Sequence, residues 1–244
     1  MATPTIVLIH GAFADAGSFT PVTRQLLDKG YTVRVPGLPN RSLLGDAEYI
    51  RSVVEHIDGP VLLVGHSYGG AVVTIAGAAD NVVGLVYLAG YALDEGENLN
   101  QLQGRFPDSP LAKALVFTPF PIAGSEPGTD VSVDVDAFPE IFAKGLDPAV
   151  VQVFAVSQRP LAAIAFEQPA PVAAWKTKPA WGVVPAADRT INPDVERFGY
   201  ERGGFRSVTE IDGAPHLVMW SHPDRVVGVI SDAVDALEGT PANA

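Results

Sequence analysis

Cysteine is missing altogether from this 244-residue chain, which removes disulfide frameworks, thiolate nucleophiles and cysteine-held metals or clusters at once. Basic residues are scarce: 16 Lys and Arg stand against 28 Asp and Glu, a formal charge of -12. That balance repels phosphate backbones and anionic lipid, so nucleic acid is set aside as a partner. No apolar run reaches the roughly 18 residues of a membrane-spanning helix, and the longest are broken by Gly, Asp or Asn. The start, MATPTIVLIHG, has no basic region, no apolar stretch of export-signal length and no cleavage site, so the expectation is a cytoplasmic protein with no membrane association. Asn40-Arg41-Ser42 fits a glycosylation acceptor, read here as a chance match because no secretory signal accompanies it.

What is present is apolar: 47% hydrophobic residues, enough for a sizeable core. Six short β-rich runs stand out: TIVLIH (5–10), TVRVP (32–36), VLLVGH (61–66), VVGLVYLA (82–89), AWGVVP (180–185) and SVTEI (207–211). They are nearly continuous in apolar residues rather than alternating, as suits parallel strands covered on both faces. Helical stretches lie between them, SFTPVTRQLLDKG closed by Gly30 and SLLGDAEYIRSVVEHIDG closed by Gly59. Later, Asn192-Pro193 and Ser221-His222-Pro223 each supply an N-cap and first-turn proline to a helix. The order predicts a doubly wound α/β fold with a six-stranded parallel sheet.

About 90 residues separate the fourth run from the fifth, far beyond an ordinary connection. That interval holds ten prolines between Pro107 and Pro171, an acidic stretch from Glu126 to Glu140 with no basic residue, and the helix-like DPAVVQVFAVSQ. Seven phenylalanines, from Phe106 to Phe166, argue for a packed unit rather than a linker. The expectation is a mostly helical cap over 93–177, with the core formed by 1–92 and 178–244.

The chemistry concentrates in Gly65-His66-Ser67-Tyr68-Gly69, which fits Gly-x-Ser-x-Gly between a buried strand and the small-residue helix GGAVVTIAGAA. In such an elbow the serine caps a tight turn at a strand's carboxyl end, where parallel sheets bind ligands. A serine hydroxyl needs a positioned base, oriented in turn by a carboxylate. Among five histidines, His216 in IDGAPHLVM follows the sixth strand and enters a loop on Ser67's side of the sheet. His66 is expected to point away and pack, and His10, His56 and His222 have structural explanations. Asp188, just beyond the fifth strand, is the chosen orienting acid. Its rival Asp194 has an ordinary place in a helix's first turn, and Asp212 and Asp224 rank below it. The oxyanion donors expected are the backbone N–H groups of Tyr68 and Ala12, the latter in the HGAF loop, with Phe13 as the alternative.

Together IHGAFADAGSFTPVTRQLLDKGYTVRVPGLP, VGHSYGG, ADRTINP and APHLVM resemble the α/β-hydrolase superfamily, within it the small esterases that include plant methylesterases, hydroxynitrile lyases and bacterial pyrethroid-type carboxylesterases. The resemblance implies six parallel strands, a helical cap between the fourth and fifth, and no cofactor or metal. It also implies Ser67 as nucleophile, His216 as base, Asp188 as orienter, and Ala12 and Tyr68 as oxyanion donors. The lyases carry a threonine after the strand-end histidine and a lysine after the catalytic one, whereas this chain has Gly11 and Leu217. The expected activity is hydrolysis of a small, apolar carboxylic ester through an acyl-enzyme, by a monomer or homodimer. Perhydrolysis, lyase chemistry, lactone hydrolysis and a ligand-binding receptor are the rival readings.

Overall fold

A computed structural model describes residues 2–239. Among these residues nine strands form two sheets. Six are parallel, in the order β2-β1-β3-β4-β8-β9: β1 (Thr5–Ile9), β2 (Val33–Arg34), β3 (Val61–His66), β4 (Val82–Leu88), β8 (Ala180–Pro185) and β9 (Ser207–Ile211). Each of the six expected runs is a strand, although TVRVP is reduced to two paired residues at the sheet edge. Every residue of β3 and β8 is buried, and β1 and β4 are nearly so, because helices cover both faces.

The crossovers are helical, α1 (Thr20–Asp28), α2 (Leu43–Glu55), α3 (Tyr68–Ala76) and α7 (Pro193–Arg202), and after the last strand come a single turn, α8 (Val218–Ser221), and α9 (Pro223–Glu238). Ser42 caps α2 by accepting the Gly45 N–H, and Asn192 caps α7 by accepting that of Asp194. The cap expected at Ser221 falls elsewhere. His222 occupies that position without a side-chain bond, and Ser221 closes α8 instead.

Between β4 and β8 lies the insertion, which corrects the expectation of a mostly helical cap. Its helices are short, α4 (Leu99–Gln103), α5 (Phe138–Phe142) and α6 (Pro148–Val156), and its centre is a small antiparallel sheet. That sheet, in the order β5-β6-β7, comprises β5 (Leu115–Phe120), β6 (Gly128–Val133) and β7 (Leu161–Ala162). In β6 the pattern alternates, with Val131 and Val133 buried beneath half-exposed or exposed neighbours, the period of a one-sided sheet. Just ahead of β7 the Gln158 side chain pairs with both backbone groups of Val133, standing in for a further strand residue. No helix among the described residues is long and apolar enough to cross a membrane.

Candidate active site

Tight backbone packing builds the site. At the end of β3 the chain turns abruptly into α3, and the turn residue Ser67 sits at φ 56, ψ -123, a costly conformation for a residue with a Cβ. Three backbone bonds hold it there: Ser67 N–H to Leu88 O (3.1 Å), and Gly70 and Tyr91 N–H to Ser67 O (2.9 and 3.2 Å). The flanking glycines are required by space. A Cβ on Gly69 would lie inside van der Waals contact of the Ile9 carbonyl oxygen and 2.8 Å from that of His10. One on Gly70 would be 2.7 Å from the Tyr91 nitrogen.

The loop after β1 reaches the same place. A Cβ on Gly11 would stand 2.7 Å from Ser67 Cβ and 3.2 Å from Ser67 Oγ, so the backbone leading into Ala12 lies against the hydroxyl. Phe13, the alternative oxyanion donor, is otherwise engaged, because its N–H donates to Arg159 O at 3.0 Å. Ala12 N–H has no such partner among the described residues. Tyr68 opens α3, so its N–H is one of the helix's free N-terminal donors, with the helix dipole behind it. The Tyr68 ring is anchored by a buried bond from its hydroxyl to Asp46 Oδ2 at 2.7 Å. Burial drives the Asp46 carboxyl up from its usual value and the Tyr68 phenol well up from its own.

His216 and Asp188 meet on the carboxyl side of the sheet, in the loops after β9 and β8. His216 Nδ1 lies 2.6 Å from Asp188 Oδ2, and neither side chain is exposed. The carboxylate's other oxygen accepts the N–H groups of Thr190 (2.7 Å) and Ile191 (3.1 Å). With Nδ1 donating to a carboxylate, Nε2 of a neutral His216 is an acceptor, and it is buried without a protein partner. The rivals lie elsewhere: Asp194 pairs with Arg197 at 2.7 Å, Asp224 accepts from Gln25, and Asp212 is exposed.

His66 was read from the sequence as a packing residue, and it does more. Its Nε2 lies 3.0 Å from the His216 carbonyl oxygen, to which it must donate, and the two rings are 4.6 Å apart. Burial first, and the neighbouring His216 second, hold the His66 imidazole well below its usual range, so it stays neutral. His10 is structural: Nε2 accepts the Leu38 N–H at 2.8 Å, so Nδ1 carries the proton and donates to Gly11 O at 2.8 Å. Burial depresses it too.

The insertion touches each of these loops through backbone oxygens. Arg159 O receives Phe13 N–H, Ile141 O receives the Thr190 hydroxyl, and Phe142 O receives Leu217 N–H. The Phe142 ring meets His216 edge-on at 4.7 Å and Phe13 at 6.1 Å. Nothing in the sequence marked Phe142 apart from the other six phenylalanines of the insertion. Among the described residues no cluster of three or more His, Asp or Glu is placed to hold a metal ion.

The likeness to known proteins follows the same geometry. A carbendazim-hydrolyzing esterase of Nocardioides sp. (strain SG-4G) is 33% identical over 112 residues, spanning 39% of this chain and 46% of that protein, so less than half of the relative is matched. Polyneuridine aldehyde esterase superposes with a TM-score of 0.82 at 17% identity, over 95% of this chain and 99% of its own. A pyrethroid hydrolase from Sphingobium faniae JZ-2 gives 0.71 at 21% identity, over 96% and 98%. At such identities the superpositions speak for the fold. A family model covers nearly the whole of it, residues 6–229, and by that match the chain belongs to the alpha/beta hydrolase family.

Proposed function

We propose that the protein is a carboxylic ester hydrolase that works through an acyl-enzyme on Ser67. The observation that carries this reading is the sealed His216–Asp188 pair, whose free Nε2 has no protein partner, on the same sheet edge as a serine held in a strained turn. In this reading Nε2 takes the Ser67 proton as Oγ attacks the acyl carbon. The resulting imidazolium is stabilised by Asp188, and the oxyanion is received by the N–H groups of Ala12 and Tyr68. His216 then delivers its proton to the leaving alcohol, and water repeats the sequence to release the acid. No cofactor enters these steps.

A small apolar, neutral ester fits the surroundings. Beside Tyr91, whose N–H holds the Ser67 carbonyl, lies a cavity of about 380 Å³ walled by Leu99, Leu111, Leu115, Val131 and Phe166. Asp108 and Glu167 also line it, and they would repel an anionic substrate. Lyase chemistry on a cyanide adduct needs a cation beside the base, and the residue after His216 is the buried Leu217.

Hydrolysis of p-nitrophenyl esters of increasing chain length, with no added metal or cofactor, tests the reading against Ser67→Ala. Wild-type turnover with loss of at least about three powers of ten in the variant is expected. Equal rates in the two proteins would remove Ser67 as nucleophile.

A further inference from the structure

Glu196 is a buried acid for which the steps above have no use. It lies on α7, eight residues after Asp188, and is 1% exposed. Neither of its carboxyl oxygens receives a hydrogen bond from any N–H or O–H donor among the described residues. The group in hydrogen-bonding contact with it is another carboxyl, that of Asp188. Two acceptors cannot bond to one another unless one carries a proton. Two carboxylates side by side in a dry interior repel strongly, so a single negative charge is shared between them.

Counting donors decides where the proton sits. Asp188 has three: Thr190 N–H and Ile191 N–H on Oδ1, and His216 Nδ1–H on Oδ2. Glu196 has none. We infer that Glu196 is a neutral carboxylic acid that donates its proton in a hydrogen bond to Asp188, and so acts as a positioning residue that limits how strongly Asp188 stabilises a protonated His216. The inference rests on the ester-hydrolase reading for its functional half and on the fold alone for its protonation half.

The groups facing this pair agree with it. Arg197, next on the helix, is turned to Asp194 and Glu210, and Glu210 on β9 is itself held in that ion pair. Tyr91 from the loop after β4 directs its hydroxyl to Gln103, and Tyr200 on α7 exchanges hydrogen bonds with Gly90. Both phenols are pushed up, first by burial and then by the acidic pair, and remain neutral. Burial and the Asp188 charge likewise hold the Glu196 carboxyl well above its usual range.

Two variants separate the outcomes: Glu196→Gln keeps a donor of the same shape, and Glu196→Met removes it. The first measurement is a difference infrared spectrum, wild type minus Glu196→Gln at pH 8, which needs no substrate. A protonated-carboxyl C=O band belonging to Glu196 is expected, and a carboxylate band in its place overturns the inference. The second is the acid limb of kcat/KM on a p-nitrophenyl ester or, should no ester be turned over, the titration of the His216 ring followed by NMR. That alternative keeps a failed hydrolase reading distinct from a failed inference.

Glu196→Gln should leave the limb in place and the rate at pH 7.5 within about twofold, because the amide donates as the acid did. Glu196→Met should move the limb to higher pH by about half a unit or more, with KM unchanged, because Asp188 then keeps its full charge for the imidazolium. A downward shift in Glu196→Gln would mean that a negative charge had been removed, and would overturn the inference. So would a Glu196→Met protein that loses stability while its limb stays in place.

Discussion

The six-stranded sheet and the insertion above it are built to different tolerances. In the sheet, backbones approach until only glycine fits. Gly65, Gly69 and Gly70 each lie where a Cβ would strike main-chain atoms, and those contacts fix the turn that presents Ser67. In the insertion, the tightest glycine, Gly128, is crowded by the end of the Phe120 ring, a side chain able to move. Large apolar residues there stand partly in solvent, Phe117 at 62% and Val156 at 74%. Chemistry needs reacting groups fixed to a fraction of an ångström, whereas an enclosure for small apolar molecules needs only shape and dryness. In the proposed hydrolase reading the parallel sheet supplies the first and the insertion the second.

The largest effect that sharpens this contrast is chemical. Ser67→Ala or His216→Ala is expected to lower kcat by about three or more powers of ten, and Ser67→Ala to leave the urea midpoint nearly unmoved, since it removes a single hydroxyl. A parallel loss of stability would mean that the serine turn is structural. Next come the glycines. Gly69→Ala should cost about 3 kcal/mol or more, because the clash is with backbone at Ile9 and His10, whereas Gly128→Ala should cost under about 1 kcal/mol. Equal costs by chemical denaturation would erase the proposed difference in tolerance.

Phe142 joins the two regions, so its removal tests whether they act as one. Phe142→Ala opens a cavity between α5 and His216, and a loss of about 3 kcal/mol is expected if the insertion unfolds together with the sheet. A separate, earlier transition of the insertion would show the two to be independently stable.

Protonation gives a smaller, continuous effect that belongs to the sheet. His10 and His66 are buried with values below 6.5, so as pH falls through about 6.5 the unfolded chain binds protons that the native one does not. Each then removes up to about 1.4 kcal/mol per pH unit. Glu196 acts in the opposite sense. Its native value is raised above 4.5, so the native state holds the extra proton, and stability falls as pH rises from there towards the raised value. Wild-type stability should therefore drop as pH falls below about 6.5, and Glu196→Gln should lose less stability than wild type as pH rises. Urea titrations at pH 5.5, 6.5 and 8.5 test both limbs.

The same division governs what the sequence discloses. Buried parallel strands advertise themselves as apolar runs, and a strand-to-helix turn with glycines on both sides of a serine is a local pattern, so the elbow, Asp188 and His216 could all be placed by position along the chain. The antiparallel sheet could not. β5 carries Pro119 and lies largely exposed, β6 is broken by Asp130 and Ser132, and β7 is two residues long, so its pairing comes from partners up to 32 positions apart rather than from any run. Glu196 was equally silent. Within VERFGY it reads as an ordinary helical glutamate, and only the fold buries it against Asp188. His66 reads as the last residue of the elbow strand, but its bond to the His216 carbonyl links residues 150 apart and leaves no trace in either segment.

The smallest expected effect concerns the outer face of α6, where Val153 and Val156 are exposed while Val151 and Ala155 face inward. Side chains already in water lose little when made polar, so Val153→Gln and Val156→Lys should each change stability by less than about 0.5 kcal/mol. Val151→Gln, on the buried side of the same helix, should cost at least about 2 kcal/mol for placing an amide without partners. If the exposed pair proved as costly as Val151, something would have to cover that face in solution, and the insertion's looseness would be a property of the isolated chain. If they are silent, the apolar surface of α6 is spare. The pressure towards a single packing then stops at the residues that touch the three loops of the site.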